Sequence, residues 1–176
     1  MRKKFWTSDK IVSFVAMGVS LFTLFIFIKQ TNLIEDQSKR SVMPYLLMET
    51  SEDNQNKQYR IEIVNHGVGP AIIESRKILY KGEVYDMEFA EFIESKVPGG
   101  DSLHIFNRST LQKGFALPAG AARTMIQVGG DSYARFKTIM GAIMEEGFNY
   151  EITYKSLYDQ QWVITGQSEA PNAIGE

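Results

Sequence analysis

The chain has 176 residues, 19 basic and 21 acidic side chains, two histidines and no cysteine. Disulfide frameworks, paired-cysteine metal sites and lipid attachment through cysteine are therefore excluded. From residue 29 onward 15 basic and 20 acidic residues leave a net charge of −5, a poor surface for nucleic acid or anionic lipid. An apolar content of 44% without a low-complexity tract argues against disorder away from the ends.

Residues 1–10 form a basic flank with Arg2, Lys3, Lys4 and Lys10. The run from Ile11 to Ile28 then carries no charge. Eighteen residues at the helical rise cover roughly 27 Å, close to the hydrocarbon thickness of a bilayer, so 11–28 is read as a single transmembrane helix. The competing reading is a cleavable signal peptide. It fits less well, because the run is long and Phe25 to Lys29 lacks the small residues of a cleavage site. Trp6 and Phe5 would anchor the N-terminal interface. Four basic residues before the span against Lys29, Lys39 and Arg40 after it place the N-terminus in the cytoplasm and the remaining domain outside, by a margin that leaves the reverse orientation open. Ser13, Ala16, Ser20 and Thr23 recur at three and four residues, a small-residue stripe that allows helix–helix contact. Such residues also occur in many lone anchors, the reading that outweighs helix association.

A polar juxtamembrane spacer follows over 29–42, continuing the helix for a turn or two through Leu33 and Ile34. The segment 43–166 reads as one domain. Pro44 opens a first strand through Met48, and the polar run Ser51 to Lys57 is a loop. Tyr59, Ile61 and Ile63 then alternate with Arg60, Glu62 and Val64 in a strand. Asn65 to Pro70 is a tight connection that uses the conformational freedom of its glycines. Ala71 to Tyr80 and Glu83 to Tyr85 form a hairpin about Lys81-Gly82. A short helix spans Met87 to Ile93 and ends by Pro98. Further strands fall at 102–106, 114–117 and 124–128. Asp131 is expected to cap a helix bearing Tyr133, Phe136, Ile139, Met140, Ile143 and Met144, stopped by Gly147. Asn149 to Leu157 and Gln161 to Thr165 are the last strands, and 167–176 is a polar tail expected to fray. Short strands with short connections predict a mainly β protein: an antiparallel immunoglobulin-like sandwich after one transmembrane helix, with one or two accessory helices.

Catalytic chemistry is not signalled. His66 and His104 lack a ligand partner at metal spacing, and no cofactor motif appears. Gly67-Val68-Gly69-Pro70 is a poor phosphate loop, since Pro70 removes an N–H and the sequence continues into a strand. Glu91, Glu94, Glu145 and Glu146 read as solvated helix acids, and Ser109, Ser132 and Ser156 lack an activating context. Among aromatic residues near the C-terminal hairpin, Tyr150 and Tyr154 fit a core, while Tyr158 and Trp162 are candidates for a partner surface.

The run Ile61 to Ala71, with its Asn-x-Gly-x-Gly-Pro-Ala turn, resembles the strand–turn–strand of bacterial surface modules of immunoglobulin-like or adhesion-related type. With Ser41 to Tyr45 and Ile152 to Tyr158, the chain is similar to single-pass bacterial membrane proteins. The resemblance implies a sandwich at a bacterial inner membrane and carries no activity. The expected partners are the bilayer and another protein or a second copy, with no enzymatic role. Other readings are a membrane effector of a stress or antiphage system acting through helix assembly, and a carbohydrate- or peptide-binding module using Tyr158 and Trp162.

Overall fold

The computed structural model describes residues 8–175 and divides into two units, 1–41 and 42–176. The first is a helix, α1 (Ser8–Ser41), with no buried residue. It is long and apolar enough to cross a membrane. Arg2, Lys3, Lys4, Phe5 and Trp6, on which the orientation and interface arguments drew, lie outside the described residues. The helix runs through the spacer to Ser41 instead of ending a turn or two past the apolar run. From Lys29 to Ser41 no glycine or proline interrupts it, and Glu35 pairs with Lys39 one turn later at 2.8 Å.

The described residues of the second unit form ten strands in two antiparallel sheets. In chain order these are β1 (Leu46–Asp53), β2 (Gln58–Asn65), β3 (Ala71–Tyr80), β4 (Glu83–Tyr85), β5 (Ile105–Arg108), β6 (Ala116–Leu117), β7 (Ala122–Gly129), β8 (Asn149–Lys155), β9 (Gln161–Thr165) and β10 (Asn172–Ile174). Helices α2 (Phe89–Lys96) and α3 (Asp131–Glu145) and a 3-10 turn (Gly100–Ser102) interrupt them. One sheet has the order β1-β2-β7-β5 and the other β10-β9-β8-β3-β4, with β6 on β3. Ile61, Ile63, Ile126 and Val128 from the first sheet and Ile73, Ile78, Ile152 and Ile164 from the second meet in one apolar core, which Phe92 of α2 and Phe136 and Ile143 of α3 complete.

Local chemistry explains most boundaries. Lys81 and Gly82 both take positive φ, 52° and 80°, as the two-residue turn between β3 and β4 requires. Gly147 at φ 83° ends α3, with its N–H on Met144 O and Phe148 N–H on Ile143 O, the pattern of a Schellman stop. Glu88, just before α2, lies 3.1 Å from Arg76 Nε of β3, and its other oxygen accepts Leu111 N–H at 2.9 Å. That carboxylate ties β3, α2 and the loop after β5 together.

Several boundaries differ from the sequence reading. β1 extends to Asp53 because Ser51, Glu52 and Asp53 pair with Arg60, Tyr59 and Gln58, and only residues 54–57 turn, held by Asp53 accepting from Gln55 and Asn56. β5 begins three residues late. Asp131 does not cap α3; Gly130 precedes the helix without a side-chain cap, and the buried Ser132 Oγ instead accepts His104 N–H at 2.8 Å. The tail is not wholly frayed, since Asn172 to Ile174 pair with Val163 to Gln161.

The turn after β2 works differently from expectation. Neither Gly67 nor Gly69 adopts positive φ. They are glycines because the chain before β1 passes against them: a Cβ on Gly67 would stand 2.4 Å from Met43 O, and one on Gly69 1.9 Å from Val42 O. Asn65 organises this crossing. Fully buried, its Oδ1 accepts from Tyr45 N–H (3.1 Å) and Gly67 N–H (3.0 Å), while Nδ2 donates to Gly69 O (2.8 Å) and Leu117 O (3.0 Å). Substitution Asn65→Ala leaves those buried backbone groups unpaired. Urea unfolding is expected to show a loss of about 3 kcal/mol or more; a loss within about 0.5 kcal/mol, the range of ordinary surface changes, would contradict this role.

Candidate functional site

The second unit contains a cleft of about 450 Å³ between the inner face of β1 and β2, one side of α3 and the start of β8. Strand alternation places Met48, Thr50 and Glu52 of β1 on the cleft side. Tyr59 and Ile61 of β2 form the floor. From α3 come Lys137, Met140, Gly141 and Met144, spaced as successive turns of one face. Phe148 and Tyr150 supply aromatic walls, and Gly166 and Gln167 close the far end.

The polar groups sit at the rim. Lys137 Nζ donates to Glu52 Oε1 across the mouth, joining α3 to β1, and Tyr133 O–H also donates to Glu52 and lies 2.5 Å from Asn54 Oδ1. The Lys137 ammonium and the Tyr133 hydroxyl hold the Glu52 carboxyl below the ordinary carboxylate range, and the same contacts raise Lys137 and Tyr133. Asn149 Oδ1 accepts Gly166 N–H (2.8 Å) and Tyr150 N–H (2.8 Å) at the other end. The ion pair is internally neutralised, so the cleft is a mainly apolar receptor with a polar margin. Methionines give its walls adaptability.

Gly141 stands out within α3. A Cβ there would meet nothing within 4 Å, and its φ is not left-handed, so neither packing nor backbone demands glycine. A glycine inside a helix costs about 1 kcal/mol relative to alanine. Its effect is to keep the α3 wall of the cleft low.

The residues singled out from sequence are scattered. In α1, Ser13, Ser20 and Thr23 each donate their hydroxyl to the carbonyl four residues back, Asp9, Ala16 and Val19, so those protons are already satisfied within the helix. Tyr158 is exposed in the turn between β8 and β9. Trp162 is not: at 6% exposure it stacks on Tyr154 with ring centroids 5.8 Å apart, which removes it from a partner surface. The reason is parity, because Trp162 and Tyr154 are register partners on the inner face. His66 pairs with Glu49 at 2.5 Å, Glu94 with Arg108 at 2.6 Å, and Glu146 with Tyr80 and with Lys81 at 3.1 Å. Among the described residues no three His, Asp or Glu side chains converge as a metal site would need. The cleft escaped sequence reading because six separate segments build it, Phe89 of α2 among them; the helix face of Met140 and Met144 and the mid-helix glycine were its visible traces.

A scan against protein-family models and a search of curated proteins both find no match to this chain.

Tyr154 carries a pH signature. Its hydroxyl is buried and accepts Leu46 N–H at 3.2 Å, and burial pushes its pKa up to about 12. The unfolded chain loses this proton near the ordinary value of about 10, the folded chain two units later. The contribution is therefore intact below pH 10 and falls between about pH 10 and 12, by about 1.4 kcal/mol per unit. Alkaline unfolding of Tyr154→Phe should lack that part of the slope; an unchanged slope would contradict it.

Proposed function

We propose that this chain is a membrane-anchored, non-enzymatic module that recognises another protein at a bacterial envelope, as an accessory or sensing subunit. The observation that carries the reading is the pairing of two features in one small chain. One is a helix without a buried residue, with an uncharged run long enough to span a bilayer; the other is a domain whose large cleft is walled by methionine and aromatic side chains and rimmed by one neutralised ion pair. Such a cleft is suited to shape-tolerant binding.

The strand order supports an immunoglobulin-like sandwich. β1-β2-β7-β5 corresponds to the A-B-E-D sheet of that fold, and β4-β3-β8-β9 to C′-C-F-G, with β10 added beyond G. The cysteine pair and the strand-C tryptophan of antibody domains are missing, so Asn65, which donates to Leu117 O, and Tyr154, whose hydroxyl accepts Leu46 N–H, take over the fastening of the two sheets.

Crosslinking of the full chain in native membranes, followed by mass determination, tests the reading. A partner of fixed stoichiometry or a defined homo-oligomer is expected, with a reporter fused at Glu176 active only outside the cytoplasm. A chain that remains monomeric under all crosslinking conditions would contradict it. Activity of a cytoplasmic reporter would instead favour the effector reading, in which α1 assembles in the bilayer.

A further inference from the structure

One long side of the cleft is bordered by an open strand edge. β1 is an outer strand, and Leu46 N–H points away from β2, because it donates to the Tyr154 hydroxyl. Opposite it, Asn65 turns both backbone groups toward Ala121 and Gly120. Leu46 and Asn65 are thus a non-hydrogen-bonded pair, and antiparallel alternation makes the N–H and C=O of Met48, Thr50 and Glu52 point outward as well. Among the described residues nothing pairs with those outward groups. The same three residues line the cleft.

The other outer strands are blunted by their size. β4 and β10 have three residues each, and β5 has four and is irregular against β7. β1 has eight, in unbroken register with β2, and neither proline nor lysine interrupts it. Outward groups repeat every second residue, roughly 6.8 Å apart, a spacing that an extended polypeptide matches and a compact small molecule does not. An added strand would also direct alternate side chains to the inner face, the face on which Met48, Met140, Gly141 and Met144 line the cleft.

We propose that the β1 edge at Met48, Thr50 and Glu52 accepts an extended segment of a partner protein as an additional strand, with alternate apolar side chains of that segment seated in the cleft under α3. This rests on the protein-binding reading above and names the site and the binding mode. Backbone pairing supplies sequence-tolerant affinity, and the methionine-walled cleft selects apolar residues at every second position.

The test uses the full chain in lipid nanodiscs with labelled methionine methyl groups. The probes are octapeptides in which Leu, Ile, Met or Phe alternates with Thr between terminal lysines. The controls are the same peptides N-methylated at alternate positions. The unmethylated peptides should shift the Met48, Met140 and Met144 signals and leave Met17 unmoved. N-methylation, Thr50→Pro, which removes an outward N–H while sparing the pairing with β2, and Gly141→Leu, which fills the cleft, should each weaken binding about tenfold or more. Gly141→Ala reports that α3 tolerates a side chain there.

Failure of every peptide to shift the three methyl groups, or equal binding by N-methylated peptides or by Thr50→Pro, would overturn the proposal. A dimer of the free chain that masks the same edge would overturn it too, by assigning the edge to a second copy. A native partner crosslinked equally by wild type, Thr50→Pro and Gly141→Leu would leave the protein-binding reading standing and remove this edge from it. Loss of all crosslinks in the wild type would remove the reading while the peptide experiment still judges the edge.

Discussion

The β domain depends on the buried amide of Asn65. At the end of the sheets where β1 begins, the chain crosses from residues 42–45 under the turn after β2, and several backbone groups are taken out of water together. Asn65 answers Tyr45 N–H, Gly67 N–H, Gly69 O and Leu117 O with one side chain. An aspartate of the same shape would have no donor for the two carbonyls, and a hydrophobic residue would satisfy none of the four. Once that crossing is fixed, the start of β1, the start of β3 and the turn after β6 are fixed with it. Gly67 and Gly69 are a corollary, because the amide can reach all its partners only if the strands approach closer than any side chain permits.

The two ends of the domain are built for different tasks. At the Asn65 end its amide pairs two N–H and two carbonyl groups, and Tyr154 adds a hydroxyl that receives Leu46 N–H while its ring stacks on Trp162. Toward the other end β1 leaves its outer row unpaired, and the side of α3 bearing Lys137, Gly141 and Met144 faces β1 across a cleft spanned by Lys137 and Glu52. Rigid anchorage at one end lets the other keep an open edge without loss of register, since the pairing of β1 with β2 is set from Leu46 onward. A loose strand would not offer a defined template to a partner.

Local chemistry was legible in the sequence, and convergence was not. Lys81-Gly82 and Gly147 announce their turns because the residue types are the mechanism, and the hairpin and helix end fall where expected. The period of Phe136, Ile139, Met140 and Ile143 likewise identifies the buried face of α3. Ser51 to Asp53 misled because polar residues sit on an outer strand, where cross-strand pairing rather than burial makes the strand. The spacer misled in the opposite direction: its polarity concealed an uninterrupted helix. Trp162 looked like a surface residue because its burial depends on Tyr154 in another strand. The role of Asn65 could be suspected from its turn, but its carbonyl partner Leu117 lies more than fifty residues away.

Amide hydrogen exchange of the full chain without partner measures the contrast between the closed end and the open edge residue by residue. Slow exchange is expected at Tyr45, Gly67, Leu47, Glu49 and Ser51, whose N–H groups meet Asn65 or face β2, and fast exchange at Met48, Thr50 and Glu52. Uniform protection along β1 would show that the edge is already covered, and fast exchange at Tyr45 and Gly67 would show that Asn65 does not close its end; either result would contradict the account.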